Sequence, residues 1–183
     1  VTATLIAARQ TNEDVAFSFA IPANTFTDID NGDVLTYSAT MTDGSALPGW
    51  LTFDAATQTF NGIPGNADVG NLSLLVTATD AGGLSASRTF AVNVANVNDA
   101  PTVSMALAGL STLEDQPFTF NVPVNTFDDV NFIHGDSLTY AATMTDGSAL
   151  PGWLTFDAAT QTFSGTPLNE DVGNLSVQVT ATD

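Results

Sequence analysis

The segment ATMTDGSALPGWLTFDAATQTF occupies residues 39–60 and recurs, letter for letter, at residues 142–163. The offset between the two copies is 103 residues, as from Thr40 to Thr143. A repeat at a fixed period is the signature of an array of one structural unit, and this period suffices for one small sandwich domain. The chain of 183 residues is therefore predicted to hold two such domains in tandem.

The composition is that of a folded and strongly acidic chain. Hydrophobic residues make up 44%, so each copy has enough apolar surface to bury a core. Twenty Asp and Glu residues against two Arg residues give a formal net charge of −18, which disfavours nucleic acid and membrane insertion. Because cysteine is absent, disulfides and thiolate metal sites are excluded. Any secretion signal or anchor is expected outside this segment.

Apolar and polar residues alternate in short runs that turn sequences such as Asp43-Gly44 separate. The clearest runs lie at residues 17–21, 72–78 and 90–94. Alternation with a period of two predicts half-buried strands, about seven in each copy. The predicted fold is all-β, with two immunoglobulin-like Greek-key sandwiches. Trp50 and Trp153 are interpreted as core residues, and the alternative is a stacking platform for a sugar.

The repeat also predicts the domain boundaries. Domain 1 is predicted over residues 1–98 and domain 2 over residues 99–183, with a linker at residues 95–101. Domain 2 has two extra residues around His134, in what is predicted to be an exposed loop. The sequence holds no second copy of residues 85–94, so domain 2 is expected to miss one strand. Either the segment is cut from a longer chain or that strand comes from elsewhere.

The acidic residues gather in the predicted loops rather than on the strands. Alternate loops of a sandwich lie at opposite ends, so the acids of domain 1 are sorted into two poles. One pole is predicted to hold four aspartates: Asp28, Asp30, Asp33 and Asp80. The other pole, next to the linker, is predicted to hold two acids: Glu13 and Asp68.

Oxygen ligands of this kind, in a chain without cysteine, favour calcium over zinc or copper. Calcium takes six to eight oxygens from carboxylates, Asn side chains and backbone carbonyls. Neighbouring carboxylates also repel one another, and a bound cation relieves that repulsion. The alternative is structural, because Asp and Asn form turns and exposed acids keep a protein soluble.

The linker residues Asn96, Asn98 and Asp99, followed by Ala100-Pro101, resemble the cadherin interdomain motif DxNDxAP, with Asn96 in place of its first Asp. Asp28-Ile29-Asp30 resembles the cadherin DxD motif. The patterns GDxLTYxAT and LPxWLxFDxxTxTFxGxP, present in both copies, are similar to the bacterial dystroglycan-type cadherin-like domain. This resemblance extends over nearly all of both copies.

The resemblance implies that calcium binds between neighbouring repeats. Carried over position by position, its ligands are Glu13, Asp68, Asn96, Asn98, Asp99, Asp129, Asn131, Asp136 and Asp183. Asn96 and Asn131 replace aspartates of the family motifs, which should weaken the site. Half-sites for further repeats are expected at the outer poles: Asp28, Asp30, Asp33 and Asp80 in domain 1, and Glu114 and Asp171 in domain 2.

The function that the resemblance implies is adhesion by an extracellular or cell-surface protein. Calcium would make the array of repeats rigid, and the partners would be neighbouring repeats, a homophilic partner or a surface polysaccharide. The alternative is a polysaccharide-binding or protein-binding module attached to a larger secreted protein, such as a polysaccharide-degrading enzyme. An enzyme is not expected, because the sequence offers no plausible Ser-His-Asp set and the acids lie in polar loops rather than in an apolar cleft.

Overall fold

The computed structural model describes residues 1–30, 32 and 34–183, so Asp33 lies outside the described residues. The chain divides into two compact units, unit 1 (Val1–Val97) and unit 2 (Asn98–Asp183). Strands dominate both units, which confirms the predicted all-β fold. No helix in the described part of the chain is long and apolar enough to cross a membrane.

Unit 1 is a sandwich of two main sheets. Its strands are β1 (Thr2–Ala3), β2 (Arg9–Asn12), β3 (Phe17–Ala20), β4 (Phe26–Thr27), β5 (Thr36–Met41), β6 (Leu51–Asp54), β7 (Thr59–Gly62), β8 (Gly70–Thr79) and β9 (Ser85–Ala95). One sheet has the order β2-β9-β8-β5 and the other the order β3-β7-β6, while β1 pairs with β4. The pairing of β2 with β9 is parallel, and the pairings of β9 with β8 and of β8 with β5 are antiparallel.

The core of unit 1 follows from the period-two pattern of its long strands. Leu74, Val76 and Ala78 of β8 point inward and are fully buried, and the apolar residues of β9 alternate in the same way. At the centre, the ring of Phe60 lies 4.6 Å from the ring of Phe53. Burying a side chain of this size stabilises the fold by about 1.5–3 kcal/mol, so the two inner faces hold the sandwich together.

The duplicated segment, residues 39–60, contains the end of β5, all of β6 and the start of β7, and the latter two strands form a hairpin. Its turn is fixed by Asp54, whose Oδ1 accepts hydrogen bonds from the backbone N–H groups of Ala56, at 2.8 Å, and Thr57, at 3.3 Å. Gly62 is required at the end of β7, because a Cβ atom there would overlap the backbone carbonyl of Trp50. The Trp50 side chain is half-buried and packs against the core of unit 1. This packing agrees with the interpretation of Trp50 as a core residue.

Unit 2 repeats this arrangement with a smaller core. Its strands are β10 (Thr102–Val103), β11 (Phe118–Asn121), β12 (Phe127–Asp128), β13 (Thr139–Met144), β14 (Leu154–Asp157), β15 (Thr162–Gly165) and β16 (Val177–Thr182). The sheets have the orders β11-β15-β14 and β13-β16, and β10 pairs with β12. Val122, Leu154 and Phe163 form the buried core, and Trp153 packs against it. Within the described residues of unit 2, no strand takes the place that β9 has in unit 1.

Short 3-10 helices occur in the connections between strands. They cover Asn66–Asp68 in unit 1, and Val130–His134 and Asn169–Asp171 in unit 2. The two extra residues of unit 2 therefore lie in a 3-10 helix between β12 and β13, where a plain loop was expected. His134 is exposed at its end.

The two arginines of the chain both lie in strands of unit 1. The guanidinium of Arg9, in β2, lies 4.0 Å from the ring centroid of Phe19. Arg88, in β9, donates from Nε to the backbone carbonyl of Ala3 at 3.0 Å. Arg9 therefore packs on the core of unit 1, whereas Arg88 is exposed and ties β9 to the backbone of β1.

Candidate metal centre

Three carboxylates meet at one end of unit 2. Asp129 follows β12, Asp136 follows the 3-10 helix Val130–His134, and Asp183 follows β16. Each contributes a carboxylate oxygen to a group in which all three oxygens lie within 4.8 Å of one another. The ends of three different chain segments thus place their negative charges together.

This arrangement is electrostatically unfavourable without a cation. Two unit charges 4.8 Å apart repel by about 3 kcal/mol at an effective dielectric constant of 20, and the group contains three such pairs. Solvent lowers the repulsion that involves Asp183, which is exposed, more than the repulsion between Asp129 and Asp136. The group is therefore a candidate cation site by charge and by ligand type.

Asp129 gives this candidate its strongest support, because it is a buried carboxylate with one unsatisfied oxygen. Its side chain is 5% exposed. Oδ1 accepts a hydrogen bond from the backbone N–H of Asn131 at 2.7 Å, which caps the 3-10 helix. Oδ2 is buried and has no hydrogen-bond partner among the described residues. A buried carboxylate oxygen without a partner costs stability, and a metal ion would satisfy it.

Asparagine side chains connect the start of unit 2 to this group. Asn98 donates from Nδ2 to Asp183 Oδ2 at 2.6 Å. Asn131 is fully buried, and its Oδ1 accepts a hydrogen bond from the backbone N–H of Asp99 at 2.7 Å. Asp136 Oδ1 accepts from the N–H of Ser137 at 2.7 Å. The structure therefore brings together the six members of the expected ligand set that belong to unit 2.

Glu13 is the matching feature of unit 1. It follows β2, is 1% exposed, and donates from its backbone N–H to the carbonyl of Ala95 at 3.1 Å. Its Oε1 accepts a hydrogen bond from the N–H of Val97 at 2.7 Å. Its Oε2 is buried and, within the part of the chain that is described, forms no hydrogen bond. Unit 1 thus also has, beside its last residues, a buried carboxylate with one oxygen free to bind a cation.

The same pole of unit 1 holds Asp68. The backbone N–H of Asp14 donates to the carbonyl of Pro64 at 2.7 Å, which places the turn after Glu13 beside the connection that carries Asp68. Asp68 Oδ2 accepts from the N–H of Gly65 at 2.9 Å and so caps its own 3-10 helix. Asn96 is exposed. Asp68 therefore has a structural role, with one carboxylate oxygen left for other interactions.

The outer-pole acids act mainly as turn formers. Asp28 Oδ1 accepts from the N–H of Asp30 at 2.9 Å, and this hydrogen bond lowers the pKa of Asp28 below its usual value. Asp80 Oδ1 accepts from the N–H of Leu84 at 2.8 Å, and Asp171 caps the helix Asn169–Asp171 through a bond from the N–H of Leu168. Glu114 is exposed. Among the described residues, which omit Asp33, these acids form no group of three close carboxylates.

Sequence reasoning missed the burial of these polar residues. Glu13, Asp129 and Asn131 were predicted as calcium ligands in loops, with no prediction that they are buried, and all three are at most 5% exposed. Their spacing marked them as candidate ligands, but no local pattern distinguishes them from the turn-forming Asp43 or Asp146.

Comparison with known proteins follows the same division into two units. A family model described as "Putative Ig domain" (He_PIG) matches residues 1–95 and 100–183. The chain belongs to this family. The match of both He_PIG units confirms the resemblance to cadherin-like and immunoglobulin-like domains that the sequence analysis describes.

Two relatives of these He_PIG units are informative. The Serine-rich adhesin for platelets of Staphylococcus aureus (strain USA300) is 31% identical over 139 residues, which cover 76% of this chain and 5% of the adhesin. The chain thus spans about a twentieth of that relative. The structure of mouse cadherin-23 EC22-24 is 21% identical, with a TM-score of 0.57 over 96% of this chain and 57% of that structure. This likeness shows a cadherin-like fold.

A further solved structure is an endo-fucoidan hydrolase of glycoside hydrolase family 107. It is 24% identical over 100% of this chain and 26% of the hydrolase, with a TM-score of 0.37.

Proposed function

We propose that the two units are calcium-binding repeats of an extracellular or cell-surface adhesive array, in which calcium stiffens the junction between repeats. The observations that carry this proposal are the close group of Asp129, Asp136 and Asp183 and the buried Oδ2 of Asp129, which has no hydrogen-bond partner among the described residues. The adhesin relative supports a non-enzymatic, adhesive module rather than a catalytic one.

The donor set fits a hard cation. Three carboxylates offer up to six oxygens, and calcium takes six to eight. In unit 2 the ligands would be Asp129, Asp136 and Asp183, with Asn98 turning its amide so that its oxygen faces the ion. A second set would add Asp99, Asn131 and, from unit 1, Glu13, Asp68 and Asn96.

The junction would stiffen because its backbone is attached to ligands. Glu13 holds the N–H of Val97, and Asn131 holds the N–H of Asp99. A cation that fixes both side chains would fix the backbone on either side of residue 98. Extracellular calcium modules have dissociation constants of roughly 10⁻⁴–10⁻³ M. At ten times the dissociation constant, each site stabilises the bound form by about 1.4 kcal/mol, so the stiffness would respond to the calcium concentration.

The partners that fit this proposal are neighbouring repeats of the same chain, with a homophilic partner or a surface polysaccharide as the target of adhesion.

Calorimetric titration of the chain with calcium tests the proposal, together with small-angle scattering in calcium and in chelator. We expect saturable binding below about 10 mM and a more extended, less flexible particle in calcium. Asp183→Asn should weaken binding by roughly tenfold or more, because affinity follows the charge of the ligand set. Asp115→Asn, which also removes one charge from unit 2, is the matched control and should bind as the parent chain does.

Absence of saturable binding would refute the calcium site. Binding without a change in scattering would refute the stiffening. Adhesion to cells or glycans that persists in chelator would favour a metal-independent binding module.

A further inference from the structure

Strand β5 forms a free edge of a main sheet in unit 1. In the order β2-β9-β8-β5 it pairs with β8 on one side, and within the described residues it pairs with no strand on the other. The strand β9 lies on the far side of β8, away from this edge. With six residues, β5 is the longest of the four edge strands of the two main sheets, since β2, β3 and β6 have four each. The free edge therefore belongs to a sandwich in which β9 is in place.

The register of the ladder shows which backbone groups of β5 point away from β8. The N–H of Thr42, just after β5, donates to the carbonyl of Ser73 at 3.0 Å. Because bonding direction alternates along an antiparallel strand, positions 36, 38 and 40 also face β8, and the positions between them face outward. The N–H and carbonyl groups of Tyr37 and Ala39 thus point to the free edge. Among the described residues these four groups form no hydrogen bond.

The turn after β5 limits the length of this edge. The N–H of Met41 also points outward, but it donates to the carbonyl of Ser45 at 3.0 Å. The carbonyl of Met41 accepts from the N–H of Gly44 at 3.0 Å. The groups of β5 left for another strand are therefore the two donors and two acceptors of Tyr37 and Ala39.

The side chains of β5 do not protect this edge. Its sequence, TYSATM, has no charged residue and no proline, which are the usual devices against pairing of edge strands. The acid that follows, Asp43, is held by its own turn, because its Oδ1 accepts from the N–H of Ser45 at 2.9 Å and from the hydroxyl of Ser45 at 2.6 Å. The edge is thus an uncharged segment in a chain with a net charge of −18.

We propose that β5 pairs with the β5 strand of a second copy of the chain, antiparallel and about a two-fold axis at Ser38. In this register Tyr37 of each copy lies opposite Ala39 of the other, and all four outward groups of each strand are paired. A shift of two residues in one direction would set Tyr37 opposite Met41, whose groups are already bonded. A shift in the other direction would set Ala39 opposite Leu35, which lies outside β5.

Charge and side-chain size favour a second copy as the occupant. Two chains of net charge −18 can approach closely only where neither carries charge, and β5 is such a segment. A basic partner would gain nothing from β5 and would be attracted to the acidic loops instead. In the symmetric pair, the large Tyr37 lies beside the small Ala39 on the inner face. On the outer face, Ser38 faces itself and Thr36 faces Thr40, so that small uncharged side chains meet.

The same edge recurs in unit 2. Strand β13, TYAATM, pairs with β16, and among the described residues it pairs with no strand on its other side. The N–H of Thr145 donates to the carbonyl of Ser176 at 3.0 Å, so Tyr140 and Ala142 point outward. Each chain therefore carries two matching edges, and simultaneous contacts at both would strengthen association. This pairing names the homophilic contact of the proposed adhesive array and rests on that function, but it needs no calcium.

Disulfide trapping tests the register, since the chain has no cysteine of its own. At the two-fold axis, the two Ser38 residues form a non-hydrogen-bonded pair with Cα atoms about 4.5 Å apart, within the range of a disulfide. Thr36→Cys is the matched control on the same strand and face, because its two copies would lie about 13 Å apart. Under mild oxidation, the Ser38→Cys chain should form a disulfide-linked dimer at least about tenfold faster than the Thr36→Cys chain.

Sedimentation of the 183-residue chain in chelator tests reversible association. The double variant Ser38→Lys/Ala141→Lys sets like charges opposite each other at both edges and should weaken association by about fivefold or more. The double variant Ser73→Lys/Ser176→Lys changes the net charge equally at exposed positions away from both edges, and it should associate as the parent chain does. Because both variants become less negative, general repulsion between chains cannot explain a difference between them.

Three results would overturn the proposal: a parent chain that stays monomeric at millimolar concentration, equal trapping of Ser38→Cys and Thr36→Cys, or equal association of the two lysine double variants. A dimer that forms only in calcium would also overturn it. Calcium titration of Ser38→Lys/Ala141→Lys separates this proposal from the calcium site. The variant should bind calcium as the parent chain does, and failure of the calcium site would leave association in chelator unchanged.

Discussion

Asp129→Asn should stabilise unit 2 in chelator, and should stabilise it less, or not at all, in calcium. In chelator, the substitution removes one charge from a group of three carboxylates whose oxygens lie within 4.8 Å of one another. Two repulsions of about 3 kcal/mol at an effective dielectric constant of 20 disappear. After allowance for solvent around the exposed Asp183, we expect a net stabilisation of about 1–3 kcal/mol.

The new side chain fits the existing hydrogen bonds. An Asn at position 129 keeps an oxygen that can accept from the N–H of Asn131, and it replaces the unpartnered Oδ2 with an amide that can donate to a neighbouring carboxylate. In calcium, the same substitution removes a charged ligand. The stabilisation that the ion gives to the parent chain, about 1.4 kcal/mol per site at ten times the dissociation constant, should then decrease or disappear.

The assay is urea unfolding of the full chain in chelator and in millimolar calcium, followed by a probe that reports on unit 2. Asp115→Asn is the control, because it removes the same charge from an exposed position with a φ of 57°, which Asn tolerates well. If Asp129→Asn destabilised unit 2 in chelator as much as in calcium, Asp129 would be a structural cap, and the argument from charge repulsion would be wrong.

Three further predictions concern the fold. Phe60→Leu should cost more stability than Phe163→Leu, by roughly 1 kcal/mol measured by denaturant unfolding, because Phe60 is fully buried and packs on the additional ring of β9. Gly62→Ala should lower the unfolding free energy of unit 1 by more than about 2 kcal/mol, since its Cβ would overlap a backbone carbonyl. Hydrogen bonds from the side chain and N–H of Thr57 lower the pKa of Asp54. Their contribution to the free energy of unfolding is complete above the unfolded-state pKa of about 3.9, and it is lost as pH falls through the lower folded-state pKa. Asp54→Asn should therefore flatten the acid side of the stability–pH curve, and an unchanged curve would contradict this assignment.

The fold was largely predictable because its signals are local. The period-two alternation of residues 72–78 is a property of the sequence, and it becomes the buried face of β8 without any tertiary information. The sequence also predicted that Glu13 and Asp68 lie at the same end of unit 1, because alternate loops of a sandwich lie at opposite ends. In the structure, Glu13 lies beside the connection that carries Asp68. The parallel pairing of β2 with β9 could not be predicted from the sequence, because it joins segments some 80 residues apart.

The sequence predicted which acids lie close together at one end of unit 2, but it did not predict their burial. Linker spacing and the DxD-like motifs identified Asp129 and Asn131, yet nothing local indicated that Asn131 is fully buried against the backbone of Asp99. Burial depends on which chain segments cover a residue, and a loop acid in solvent has the same local sequence as one under a strand. Calcium binding itself stays a prediction.

The placement of the two arginines has a consequence for resistance to trypsin-like proteases. A trypsin-like protease cleaves after Arg or Lys, and this chain offers it two positions, Arg9 in β2 and Arg88 in β9. A protease must draw the chain into its cleft in extended form, so both bonds are protected while these paired strands stay in the sheet. Unit 2 contains no such position at all. The rate of cleavage by trypsin would therefore report how often the sheet of unit 1 opens, and opening of unit 2 would not contribute to that rate.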